Sequence, residues 1–83
     1  RRDHTFLYEG TGGGGMVFCP ADTPLPEARE AVAQVVERTL PGARTAYLGV
    51  LAYEGMDEGA AHMLGAFERH GRVWLARFIG RAG

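Results

Sequence analysis

The chain has 83 residues, a formal charge of −1 and a hydrophobic fraction of 46%. A chain of this size buries roughly 63% of its unfolded surface, enough for one core with little margin. The composition excludes a disordered polymer, and the total charge implies neither a strongly basic nor a strongly acidic partner.

The side-chain inventory excludes further chemistries. There is no Lys, Ser or Asn in the sequence, a bias that a GC-rich bacterial genome produces. Without lysine there is no Schiff base and no P-loop lysine, and without serine no serine nucleophile. The single cysteine, Cys19, rules out an internal disulfide. Short secreted proteins usually carry several cysteines, so the expected compartment is the cytoplasm. No run approaches the length of a membrane span, and no signal-peptide core is present. The first residue is Arg1 rather than Met, which suggests processing or a boundary upstream.

In chain order, Thr5 to Glu9 is aromatic and β-branched, as a short strand requires. Residues 10–15 then hold five glycines in six positions, which support neither helix nor strand well. Met16 to Cys19 is strand-like again, so the first unit reads as a hairpin with a glycine-rich tip. Thr23 is placed as a helix cap and Pro24 at the first helical position. Leu25, Ala28, Val32, Val35, Val36 and Leu40 recur at three- and four-residue spacing, which predicts a helix over 24–40, stopped by Pro41-Gly42.

Beyond the helix the period falls to two. Strands are expected at 45–54, 61–69 and 72–79, the first two joined through a turn at Gly55 to Gly59. Alternation sets Leu48 and Val50 on one side and Tyr47, Leu51 and Tyr53 on the other. A short echo of Leu7-Tyr8-Glu9-Gly10 in Ala52-Tyr53-Glu54-Gly55 raises the thought of two similar hairpins. The expected architecture is a single α+β domain spanning 1–83, ordered ββαβββ, with an antiparallel sheet and one helix on one face.

A helix covers one face of a sheet, yet the closing strands carry apolar residues on both. The second face is therefore expected to meet a second copy of the chain, or another protein or domain, through Tyr47, Leu51, Tyr53, Phe67, Trp74 and Phe78.

Other constellations carry weaker signals. The glycines Gly12, Gly13 and Gly14 with Arg69, Arg72 and Arg77 are candidate ligand or anion contacts, because glycine-rich backbone can cradle phosphate. No nucleotide-binding fingerprint accompanies them, since the loop joins two strands. The last 15 residues hold four Arg and no acid. Arg beside sheet aromatics is a stacking platform for single-stranded nucleic acid, but no RNP-like motif is present and the net charge is not basic. Cys19 sits near the helix start, where a thiol can become reactive. The acidic turn Glu54, Asp57 and Glu58 could serve acid–base chemistry. His4, His62 and His70 lack ligand spacing, so neither metal nor cofactor is expected.

The segments Thr45-Ala46-Tyr47-Leu48-Gly49 and His62-Met63-Leu64-Gly65, within the run Leu25 to Phe67, resemble the C-terminal domains of bacterial enhanced-serine-sensitivity proteins. The resemblance covers about half of the chain, and the strand after Arg72 follows more directly than that pattern has it. No function is carried over from it. Three classes follow from the residues: a self-associating interaction module; a binder of small ligands or nucleic acid; and an enzyme with a site between subunits, using Cys19, His62 or the acidic turn.

Overall fold

A computed structural model describes residues 2–52 and 66–77. Its elements run β1 (Arg2–Gly10), β2 (Gly13–Pro20), α1 (Leu25–Thr39), β3 (Arg44–Ala52), β4 (Ala66–His70) and β5 (Val73–Arg77). Among the described residues the five strands form one antiparallel sheet in the order β3-β1-β2-β5-β4. This is the expected ββαβββ α+β fold, with α1 packed across β1, β2 and β5.

The helix forms where its periodicity places it. Its inward stripe is Ala28, Val32, Val35 and Val36, all buried. Glu27 in the first turn and Arg38 in the last suit the helix dipole. Pro24, not Thr23, occupies the N-cap, and no side chain caps the helix. Thr23 is used elsewhere. Its carbonyl accepts from His4 Nε2 at 3.1 Å, and its hydroxyl accepts from Arg72 at 3.0 Å.

The helix stripe seals a core made with Phe6, Tyr8, Val17, Cys19, Val73 and Leu75. By register these residues share the helix-facing side of the sheet, because side chains alternate along each strand. The opposite side is buried at its centre too. Phe18 and Ala76 form a second cluster there with half-buried Met16 and Trp74, and Thr5 is fully buried.

Two sequence expectations are corrected. Strands at 45–54 and 61–69 do not form a hairpin among the described residues, since β3 pairs with β1 and β4 with β5 at opposite edges of the sheet. The local period was right, but pairing partners depend on contacts distant in sequence. The second correction concerns parity within β3. Thr5 pairs with Gly49 and Phe6 with Tyr47, so Leu48 is an extra residue in a β-bulge. Gly49 adopts φ +136°, a conformation open to glycine and costly for other residues. The inserted residue reverses the alternation. Tyr47 therefore shares the helix side with Phe6, whereas Leu51, opposite Asp3, lies on the far side. Tyr53, the turn at 55–59 and most of the echo lie outside the described residues.

Candidate functional site

The expected interface residues separate in space. Tyr47 is packed on the helix side. Its ring is 5.2 Å from that of Phe6 and 5.6 Å from His4, and the Arg29 guanidinium lies 5.8 Å from its centroid. Trp74 is half-buried on the far side under Arg69, whose guanidinium is 5.2 Å from the ring. Leu51 is 45% exposed on β3. Phe67 takes the β4 position opposite Ala76. Phe78 lies outside the described residues. The residues sequence reasoning set aside are Leu48, 51% exposed, and Val50, 36% exposed. With Leu51 they make an apolar rim around the β3 edge. The signal for this rim was the Leu48-Gly49 pair itself, since an isolated glycine within a strand often marks a bulge.

The candidate anion residues also separate. Arg69 donates to the Gly71 carbonyl at 2.9 Å, and Arg72 donates to Thr23 and, at 3.4 Å, to Asp22. Neither meets the glycine tip. Arg77 does. It lines a cavity of about 120 Å³ with Tyr8, Gly12, Gly13, Gly14 and Leu40. The hairpin makes this cavity. Gly10 pairs with Gly13 across a Thr11-Gly12 turn, and the following residues carry backbone but no side chain into the helix-side space.

Gly15 completes the arrangement. It is paired with Tyr8 on one side and Arg77 on the other. A Cβ at Gly15 would collide with the Ala76 carbonyl oxygen and lie 2.8 Å from the Tyr8 hydroxyl. The phenol thus crosses over Gly15 and brings its hydroxyl toward β5. That hydroxyl is buried and has no hydrogen-bond partner among the described residues. Burial raises the Tyr8 pKa above 10.0, with the Arg77 charge opposing and the Glu68 charge adding to the rise. At neutral pH it is a hydrogen-bond donor. Among the described residues Arg77 donates to Glu68 at 3.3 Å, with both side chains nearly half exposed. The Glu68 carboxyl is lowered below 4.5, first by its hydrogen bond with His70 and further by Arg77.

The remaining titratable residues do not assemble a catalytic group among those described. His4 is buried between the Tyr47 hydroxyl, 3.2 Å from Nδ1, and the Thr23 carbonyl at Nε2. A carbonyl only accepts, so Nε2 carries the proton, and in the neutral ring Nδ1 accepts from Tyr47. This is a structural clamp tying β1 to β3 and to the segment before the helix. Cys19 is buried, and burial raises its pKa above 9.0 against the lowering effects of Thr23 and Arg72. That disfavours the nucleophilic thiolate. No group of three metal-ligating side chains converges among the described residues. No helix among them is long and apolar enough to cross a membrane. His62 and the acidic turn at 54–58 lie outside the described residues.

No family model matches this chain, and no curated protein or solved structure resembles it significantly.

Proposed function

We propose that this chain is a non-enzymatic interaction module that self-associates along the β3 side of its sheet. One observation carries the reading: β3 is an edge strand among the described residues and exposes Leu48, Val50 and Leu51. Long apolar edge strands are normally blunted by charge, proline or cover, because their unpaired backbone groups invite another strand. Residues 45–51, Thr-Ala-Tyr-Leu-Gly-Val-Leu, contain no charge and no proline. Strand pairing with the same strand of a second copy joins both the backbone edge and the apolar rim in a closed two-fold contact. The proposed interface therefore keeps Leu51 and Tyr47 and centres on β3. The middle of the far face, at Thr5, Phe18 and Ala76, is already buried within the single chain.

Light scattering across concentration tests the reading. A dimer at high micromolar concentration is expected, and Leu48→Glu/Leu51→Glu should return it to monomer. A strictly monomeric parent chain at that concentration would sink the proposal. Trp74→Ala, on the far side, should leave association intact.

A further inference from the structure

The cavity at the hairpin tip stands apart from the β3 edge. We infer that it is a binding site for a small oxyanion of the phosphate type, held by the Tyr8 hydroxyl, the Arg77 guanidinium and the backbone of Gly12 to Gly14. The first support is the orphaned donor. Tyr8 is 1% exposed, its hydroxyl has no partner among the described residues, and the residue lines the cavity. A buried donor without an acceptor is costly, and native proteins rarely leave one so. An acceptor placed in the cavity relieves it.

The second support is the chemistry of the walls. Arg77 is the cationic lining residue, and its forked donors match a phosphate. Its current partner, Glu68, is held in an exposed pair that contributes little and can be exchanged. The glycines let a ligand approach main chain directly. Leu40 closes the space as an apolar wall, and Gly12 packs so tightly under it that a Cβ would lie 2.8 Å from Leu40 Cδ1. The volume, about 120 Å³, has room for a small tetrahedral oxyanion. Gly12 and Gly13 are exposed, so the mouth opens at the tip and a phosphate ester could extend outward. The burial that keeps Tyr8 protonated also keeps it a donor toward an anion.

The test is a titration of the full chain with inorganic phosphate at constant ionic strength, following the amide resonances of Gly12, Gly13 and Gly14. Saturable shifts are expected. Tyr8→Phe, which removes only the hydroxyl, and Arg77→Gln should each weaken binding about tenfold or more, the loss expected for a charge-assisted hydrogen bond. Arg72→Gln, remote from the cavity, should bind as the parent does. Dispersed amide spectra verify that each variant is folded, and Tyr8→Phe preserves the packing if Arg77→Gln does not. Glycerol 3-phosphate in a parallel titration separates the sources: tighter binding than phosphate identifies a terminal phosphate of a larger ligand, and equal or weaker binding identifies the free ion. Absence of saturable shifts, or equal affinity in Tyr8→Phe and parent, overturns the site and leaves the hydroxyl to water.

Discussion

β1 and β3 lie side by side, yet β1 buries polar residues while β3 exposes apolar ones. β1 contains Asp3, His4 and Thr5, all buried, whereas β3 carries Leu48, Val50 and Leu51, all exposed. Position in the sheet explains the inversion. β1 has a strand on both sides and the helix above, whereas β3 has one strand neighbour among the described residues. Polar residues at the centre are tolerated where they find partners, as His4 does in Tyr47 and Thr23. Apolar residues at the edge find no such partners among the described residues, and this is why β3 is the surface on which association is proposed.

The contrast can be broken most severely at the centre. Gly15→Ala should cost about 3 kcal/mol or more, because the new methyl drives β2 away from β5 at the Ala76 carbonyl. Chemical denaturation would measure it, and a cost near zero would mean that the two strands can separate freely. Leu75→Ala, at a fully buried position, should cost about 2–5 kcal/mol through the cavity it leaves. At the edge, Leu48→Glu/Leu51→Glu should change the folding stability of the monomer by no more than about 0.5 kcal/mol per site while abolishing association. Unfolding by that pair would place β3 in the core instead. Tyr8→Phe in phosphate-free buffer should leave stability unchanged or raise it by about 1 kcal/mol, since it removes a donor with no partner among the described residues.

The smallest effect is on pH. Cys19 and Tyr8 both have folded pKa values raised by burial. Their contribution is fully present below the ordinary values of 9.0 and 10.0 and is lost as pH rises from there through the folded values. Melting temperatures should therefore fall on the alkaline side, and Cys19→Val with Tyr8→Phe should flatten that fall.

The legible parts of this molecule were those governed by near neighbours. The helix occupies Leu25–Thr39 within the expected 24–40, because its apolar period is a local property of one face. The β1–β2 hairpin was readable for the same reason, from a glycine run between two strand-like segments. Thr23 was misread as a cap because its side chain and carbonyl are recruited by Arg72 and His4, which arrive from distant strands.

The candidate sites were legible only as ingredients. Gly12, Gly13, Gly14 and Arg77 were all noticed, but Tyr8 was not, since nothing local marks its hydroxyl as unpaired. Arg69 and Arg72 looked equivalent to Arg77 in sequence and face other partners in space.

By itself the sequence determined element types, the helix stripe and the chemistries that missing lysine and serine forbid, because these follow from local period and composition. Only the tertiary structure decided which strands became edges, which side of β3 each residue faces, and that Arg77 meets the glycine tip over Gly15. Each of those depends on register between segments far apart in the chain, where one extra residue at Leu48 reverses every side chain beyond it.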